Sequence, residues 1–232
     1  MLTRRIIVAA FLFTSTVGIL LAKNKWDDAD FRQWDHETVA KLFNDSPWAQ
    51  QWTHKNEGTA NQGINEQEFS FTVRVLSSVP IRQAYVRMLQ LMNKYDALAS
   101  DGQKDFDARV TTPMLNADVK DEVVLAVAYK TNDQNARLDL KHFFDNATSQ
   151  TLNQQAYIFS PEVGRVDLKT YVPPGKEGMG ARFIYPRVVN GKPLLQPGDK
   201  EMRFQLWVSP INDELRVGFD ARKMIYKDVL NY

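Results

Sequence analysis

Cysteine is absent from all 232 residues of the chain. Its absence excludes disulfides, thiol catalysis, thiolate metal sites and iron–sulfur clusters, and it excludes a lipoprotein anchor, which is attached to cysteine. A chain of this length can bury enough apolar surface to fold without disulfides. The absence of cysteine is therefore compatible with an oxidising compartment.

An excess of charge of either sign is also absent. Lys and Arg number 29, and Asp and Glu number 28. This near neutrality gives no reason to expect nucleic acid or an anionic membrane surface as a partner. Hydrophobic residues make up 44% of the chain and charged residues 25%, which is typical of a globular protein and not of a disordered one.

Sequence motifs for metal-dependent or nucleophilic catalysis are missing as well. His36-Glu37 begins like the zinc-protease helix, which needs histidines at i and i+4, but position 40 is Ala40. His54 and His142 each stand alone in the sequence. Neither G-x-S-x-G nor S-x-x-K occurs, so no serine nucleophile is indicated. We expect no catalytic residue, no metal site and no cofactor.

Two other patterns suggest ligand loops but lack essential parts. The glycine-rich stretch at 174–180 has neither the Gly-Lys-Ser/Thr ending nor the following helix of a phosphate-binding loop, so it predicts a hairpin loop. The acidic clusters at 27–30 and 105–107 lack the ligand ladder, central glycine and closing glutamate of a calcium loop. They predict solvated surface.

The N-terminus carries the strongest signal of the chain. Arg4 and Arg5 precede an uncharged run at 6–22, which is the arrangement of a secretory signal peptide. The run is at the lower limit for a membrane-spanning helix, and polar residues at 14–16 interrupt it. An uncleaved anchor is the alternative. We therefore expect a periplasmic or secreted protein, or one that residues 1–22 tether to the membrane.

Residues 23–67 predict a tryptophan-rich helical arm followed by a linker. Four of the five tryptophans lie in this arm: Trp26, Trp34, Trp48 and Trp52. Tryptophan is enriched in binding hot spots and at membrane interfaces. These four rings are the candidate binding residues, and their partner would be an envelope protein or a membrane surface. The alternative is that the rings dock the arm onto the rest of the protein.

Within the arm, polar residues mark the expected boundaries. Asp35 is placed to cap a short helix that ends at Asn44-Asp45. Ser46-Pro47 predicts a new helix start, with serine as the cap and proline at the first helical position. The polar stretch at 53–67 contains two glycines and predicts a loop or linker.

Residues 68–232 predict one α+β domain. The alternation of apolar and polar residues at 69–75 indicates a half-buried strand. Pro80 opens a long amphipathic helix that we expect to run to Leu98 and to end at Asp101-Gly102. From Phe106 onward the chain is typical of strands, apart from 137–144, which is ambiguous.

The turn signals of this second half separate short strands. The most apolar candidate, 123–129, is expected to be central in its sheet. The other candidates are 156–159, 165–172, 181–189, 202–208, 215–219 and 224–229, and Asn190-Gly191 predicts a hairpin turn. Strands of this length and spacing favour an antiparallel β-sandwich-like domain, with the long helix packed on it.

Several short blocks resemble a group of uncharacterised exported bacterial proteins, here called the SPWA type. The blocks are Ser46-Pro47-Trp48-Ala49, residues 78–84, Tyr185-Pro186-Arg187, residues 191–194, residues 197–200, residues 215–219 and residues 223–226. The resemblance implies an exported α+β domain. It implies no activity, cofactor or catalytic residue.

Export, the missing catalytic motifs and the aromatic arm together favour a non-enzymatic extracytoplasmic binding or assembly module. The alternative is a hydrolase that acts on envelope or external polysaccharide through two carboxylates brought together by the fold. Such an enzyme needs a pocket with two carboxyl groups about 5–10 Å apart. The sequence cannot place carboxylates in space, so both functions remain open at this point.

Overall fold

The computed structural model of the protein describes Trp26, residues 29–56 and residues 66–232. The predicted signal peptide at 1–22, and most of the predicted linker, lie outside the described residues. The described part has mixed helices and antiparallel sheets, which is the predicted α+β class.

The main elements, in chain order, are five helices and thirteen strands of the described chain. The helices are α1 (His36–Asn44), α2 (Val79–Met92), α3 (Ser100–Phe106), α4 (Thr112–Leu115) and α5 (Gln134–Asn146). The strands are β1 (Ala49–Asn56), β2 (Gln67–Val75), β3 (Glu122–Thr131), β4 (Ala156–Ser160), β5 (Gly164–Asp167), β6 (Thr170–Val172), β7 (Ala181–Pro186), β8 (Val188–Val189), β9 (Lys192–Pro193), β10 (Glu201–Val208), β11 (Asp213–Asp220), β12 (Ile225–Tyr226) and β13 (Val229–Leu230). Short 3-10 turns lie at Phe31–Gln33, Tyr95–Ala97 and Ser209–Ile211.

The larger sheet has five antiparallel strands in the order β1-β2-β3-β7-β6. Strand β3 is central, as predicted for 123–129. Its residues 123–127 are all buried, because a central strand is covered on both faces and needs apolar side chains in succession. Strand β2 instead alternates buried and half-buried positions from Phe69 to Val75, as its period-2 pattern predicted.

The smaller sheet has four antiparallel strands in the order β11-β10-β4-β5. Apolar residues at every second position of β10 and β11 face the core, and Phe204, Leu206, Leu215 and Phe219 are fully buried. Two short ladders, β8-β9 and β12-β13, follow the larger elements. The β8-β9 hairpin confirms the turn predicted at Asn190-Gly191, and both turn residues have positive φ.

Helix α1 agrees with its prediction at both ends. The Asp35 carboxylate accepts a hydrogen bond of 2.7 Å from the Thr38 amide, and the helix ends at Asn44. Helix α2 is shorter than predicted. It ends at Met92, since Lys94 adopts a left-handed conformation with φ of 50°, and Asp101-Gly102 lies inside α3 instead of ending α2.

The expectation of strands from Phe106 onward is wrong for the first part of that segment. Helix α3 continues through a π turn at Asp107–Thr111 into α4, so residues 100–115 are helical throughout. The ambiguous stretch at 137–144 is also helical and lies in α5, which Asp133 caps through the Ala136 amide. The other predicted strands of the second half are present.

The predicted boundary between arm and domain does not correspond to a break in the sheet. Ser46-Pro47 starts no helix. The chain turns there and enters β1, which pairs with β2 over its whole length from Ala49↔Arg74 to Asn56↔Gln67. Residues 53–56 and Gln67, predicted as loop or linker, are therefore strand. Side chains that are half-buried but polar mask this edge strand in the sequence.

Candidate functional site

The four candidate tryptophans lie against the body of the protein. Trp26, Trp34 and Trp48 are buried, and Trp52 is half-buried. Trp52 stacks on His54 and contacts Phe71. Three of the four rings are thus covered by the protein itself, which agrees with the alternative that they dock the arm. A contact of Trp52 with a partner stays a prediction.

Trp48 links the arm to the last residues of the chain. Its indole N–H donates to the main-chain oxygen of Asn231 at 2.6 Å. The side-chain oxygen of Asn231 in turn accepts a 2.7 Å hydrogen bond from the Val79 amide in the first turn of α2. Ser78 precedes α2 but makes no side-chain cap, so Asn231 supplies the capping oxygen from a distant part of the sequence.

Asn231 borders a cavity of about 460 Å³, which we call the arginine cavity. The first turn of α2, the loop at 115–120 that follows α4, and the residues next to β7 and β13 form its walls. The lining residues are Ser77, Val79, Arg82, Leu115, Asn116, Ala117, Asp118, Val119, Lys120, Arg187, Leu230, Asn231 and Tyr232. Ligand pockets have volumes of about 300–1,000 Å³, so this cavity is large enough for a small molecule.

Arg82 is the most buried charge of the arginine cavity, with 8% of its surface exposed. Its Nη1 donates to the main-chain oxygen atoms of Met114 at 3.4 Å and Leu115 at 2.9 Å. These carbonyls are at the end of α4, where helical partners are missing. The Nε of Arg82 is buried and has no hydrogen-bond partner. The guanidinium is therefore held in place by dipoles and not by a carboxylate.

Arg187 follows β7 directly and is held in a similar way. Its Nη2 donates to the main-chain oxygen of Glu122 at 3.0 Å and to that of Tyr232. The guanidinium carbon lies 4.3 Å from the centre of the Tyr232 ring. The Nε of Arg187 is buried and has no hydrogen-bond partner, as in Arg82.

Neither arginine has an ion pair with a carboxylate side chain of the described residues. The remaining charges of the lining, Lys120 and Asp118, lie 3.9 Å apart and oppose each other on the exposed rim. The lining therefore keeps the charge of two guanidinium groups. Arginine forks bind carboxylates and phosphates through paired hydrogen bonds, so this cavity has the chemistry of an anion site.

The electrostatic environment of the two guanidinium groups agrees with this description. Burial lowers the pKa of Arg82, and the positive charge of Arg187 lowers it further. Burial also lowers the pKa of Arg187, against the opposing effects of Tyr232 and Asp121. Each shift means that the protein environment opposes the positive charge, and a bound anion would relieve that cost.

A second cavity, of about 490 Å³, adjoins the first, and we call it the apolar cavity. It lies between α2, the helical segment at 100–115 and the larger sheet. The lining residues are Leu76, Arg82, Tyr85, Leu89, Arg109, Val110, Pro113, Met114, Ala117, Val119, Glu122, Val124, Arg182 and Ile184. Arg82, Ala117 and Val119 belong to both linings, so the two cavities meet at Arg82.

A third cavity, of about 300 Å³, lies between α1 and α2 beside Arg74, His36 and Met179. Arg74 donates from Nε to the main-chain oxygen of Phe43 at 2.8 Å, and burial lowers its pKa to about 10. The guanidinium carbon lies 5.1 Å from the centre of the Phe43 ring. These contacts join α1 to β2 and have a structural role.

The histidines and acidic residues do not form a metal site in the part of the chain that the structure describes. No group of three or more His, Asp and Glu side chains converges there. His54 lies 2.7 Å from the Asp213 carboxylate and 2.7 Å from the Asn56 side-chain oxygen, at the contact between β1 and β11. The glycine-rich stretch at 174–180 connects β6 and β7, as predicted for a hairpin loop.

Sequence reasoning missed both cavity arginines, because their meeting depends on how α2 packs against the end of β7. One signal for them was present. Arg82 lies in the block at 78–84 and Arg187 in the block at 185–187, and both blocks carry the resemblance to the SPWA type.

Comparison with protein-family models, curated proteins and solved structures gives no significant match. The resemblance to the SPWA type therefore stays a prediction. Within the described residues, no helix combines the length and the apolar character needed to cross a membrane.

Proposed function

We propose that the protein is a non-enzymatic extracytoplasmic binding module whose arginine cavity takes a small anionic ligand with a carboxylate or phosphate group. The observation that carries the proposal is the pair Arg82 and Arg187. Both are held by main-chain oxygen atoms, both line one cavity, and neither has a carboxylate partner among the described residues. Such preorganised donors lose little conformational entropy when a ligand binds.

A purely structural role for the two arginines is the competing interpretation, since each also fastens loop carbonyls. Carbonyls are dipoles and do not cancel a full positive charge. Two guanidinium groups in one partly buried cavity therefore carry an electrostatic cost that helix capping alone does not explain. An anion removes this cost, and this favours a binding role.

The competing hydrolase requires two carboxyl groups in one pocket. The linings formed by the described residues place Asp118 in the arginine cavity and Glu122 in the apolar cavity, with no acidic residue in the third. Glu122 also accepts a 2.8 Å ion pair from Lys169. We therefore prefer anion binding to carboxylate-pair hydrolysis.

The proposal includes the sandwich-like arrangement of the two sheets and the location of the protein. Phe183 of β7 and Phe204 of β10 have their rings 5.4 Å apart in an edge-to-face contact, which supports face-to-face packing of the sheets. Arg4, Arg5 and the apolar run at 6–22 support export. Cell fractionation with N-terminal sequencing tests this part, and we expect an extracytoplasmic protein that begins near Lys23 or keeps its anchor.

The binding proposal is tested by calorimetric titration of the purified protein with acetate and with inorganic phosphate at low salt. We expect saturable binding at one site, and weaker binding as the salt concentration rises. The Arg187→Met variant should lose about 1.5–3 kcal/mol of binding free energy, the usual contribution of hydrogen bonds to charged groups.

The Arg222→Met variant is the matched control, because Arg222 is exposed and pairs with Asp220 outside the three cavities. It should bind both anions as the parent protein does. If the parent protein binds neither anion, or if both variants weaken binding equally, the arginine cavity is not an anion site.

A further inference from the structure

The position of the anion site relative to the apolar cavity restricts the chemistry of the ligand. Arg82 lies at the junction of the two cavities and belongs to both linings. A ligand whose anionic group pairs with Arg82 therefore has immediate access to the apolar cavity. The volume of about 490 Å³ is within the range of about 300–1,000 Å³ that ligand pockets have.

The wall of the apolar cavity comes from three parts of the fold. Leu89 extends from α2, Val110 and Met114 belong to the helical segment at 100–115, and Ile184 belongs to β7. All four side chains are only partly buried by the protein. Their remaining surface is available for contact with the apolar part of a ligand.

The other charges of this cavity are already paired. Arg109 pairs with Asp105, Arg182 lies 3.4 Å from Glu177, and Glu122 pairs with Lys169. Arg82 is different, because its hydrogen bonds go to the main-chain oxygen atoms of Met114 and Leu115. The apolar cavity therefore meets an uncompensated positive charge at one end.

We infer that the ligand is a single-chain anionic amphiphile, with its carboxylate or phosphate head on Arg82 and Arg187 and its hydrocarbon chain in the apolar cavity. This inference rests on the proposed anion site and adds the chemical class of its ligand. The bound species is a monomer taken from solution, because the positive charge lies in a cavity and does not form an exposed basic surface.

The physical argument makes affinity depend on both parts of the ligand. Each methylene group transferred from water to an apolar environment strengthens binding about threefold to fourfold. A cationic or uncharged head leaves the two guanidinium groups without a counter-charge in a partly desolvated site, so such a ligand is rejected. Chain length and head charge can therefore be varied separately.

The test is a calorimetric series on the full purified protein, below the micellar concentration of every ligand. The probes are acetate, hexanoate, octanoate and decanoate, with decyl phosphate as the second head group and decyltrimethylammonium as the cationic counterpart. We expect affinity to rise about threefold with each added methylene. We expect decyl phosphate to bind and decyltrimethylammonium to bind at least tenfold more weakly than decanoate.

Two variants separate the chain from the head. Val110→Gln and Met114→Gln place an amide in the apolar cavity and should weaken decanoate at least tenfold, while acetate binds as before. Val163→Gln is the matched control, because Val163 is also half-buried but lies outside the three cavities. Using both cavity variants keeps the test valid if one of them fails to fold.

Each outcome supports or overturns the inference. Equal affinity for acetate and decanoate overturns it and leaves the proposed anion site intact. Equal affinity for decanoate and decyltrimethylammonium overturns it too, because the head charge then has no role. If none of the anionic probes binds, both the inference and the proposed function fail.

Discussion

The indole N–H of Trp48 donates a 2.6 Å hydrogen bond to the main-chain oxygen of Asn231, although 183 positions separate the two residues. Trp48 is fully buried, and its ring also makes an edge-to-face contact with Tyr226. Asn231 in turn caps α2 and lines the arginine cavity. The N-terminal arm is therefore part of the support of the proposed site.

Replacing Trp48 by phenylalanine tests this support. The Trp48→Phe variant loses the hydrogen bond to Asn231 and leaves a cavity, and we expect a loss of about 2–3 kcal/mol in the free energy of unfolding. Urea denaturation measures this loss. Trp207→Phe is the matched control, since Trp207 is 39% exposed on β10. Similar losses in both variants would contradict the supporting role of Trp48.

Arg87 is a second tie between the arm and α2. Its side chain is 7% exposed, and its Nε donates to the main-chain oxygen of Trp34 at 2.9 Å. Its partner carboxylate, Asp96, is 67% exposed, so the ion pair itself contributes little. We expect Arg87→Met to lower the free energy of unfolding by about 1–3 kcal/mol, because it leaves a buried carbonyl without a donor.

The control for Arg87 is Arg216→Met, which removes an exposed arginine paired with Glu214. Its effect in the same urea experiment should stay below about 1 kcal/mol. If the two substitutions cost the same, the bond from Arg87 to Trp34 does not hold the arm.

Gly180 and Gly178 offer a matched pair of substitutions in the loop before β7. Both have positive φ, of 91° and 72°. A Cβ on Gly180 would lie 2.2 Å from the main-chain oxygen of Val127 on the central strand, whereas a Cβ on Gly178 meets nothing within 4 Å. We expect Gly178→Ala to cost about 1 kcal/mol from backbone strain alone.

Gly180→Ala adds the collision with β3 to the same strain. We expect a loss of at least about 3 kcal/mol, or failure to fold, because the backbone of a central strand cannot move aside. Thermal and urea denaturation measure both variants side by side. Equal melting temperatures would contradict the close approach of β7 to β3 at this position.

The acid limb of stability depends in part on Asp220. Its hydrogen bonds to Arg222 lower its pKa from the usual value of 3.8. A carboxyl whose folded pKa is lowered stabilises the protein fully above the unfolded pKa, and this contribution is lost as pH falls through the lower folded value. The contribution of Asp220 should therefore disappear as pH falls below about 4.

Unfolding free energies of the parent protein and Asp220→Asn between pH 7 and pH 2 test this dependence. The variant should be less stable by up to about 1 kcal/mol at pH 7, since the pair is largely exposed. The difference should vanish at the acid end. A difference that stays constant over the whole range would show that Asp220 acts through something other than its charge.

The sequence predicted those elements whose apolar pattern is strong. The period-2 alternation at 69–75 and the apolar run at 123–129 correctly indicated an outer and a central strand. Strand β1 escaped prediction because an edge strand tolerates polar side chains such as Gln51 and Lys55. The helical segment at 100–115 escaped because it covers the sheet with few apolar residues, and Phe106 is its main buried hydrophobic side chain.

The candidate site was beyond the reach of sequence patterns for a different reason. Arg82 and Arg187 lie far apart in the chain, and each looks like an ordinary surface charge. Only the packing of α2 beside the end of β7 brings them into one lining. The tryptophans drew attention instead because their residue type is rare and large, yet three of them are core residues.

The most direct test of the account is an NMR titration of the arginine side chains of the folded protein with acetate. The Nε–H groups of Arg82 and Arg187 are buried and have no hydrogen-bond partner, so their signals should respond to a counter-charge in the cavity. The account predicts that these two signals shift together and saturably, while that of Arg222 stays in place. If all three signals shift alike, or if none does, the arginine cavity does not bind anions.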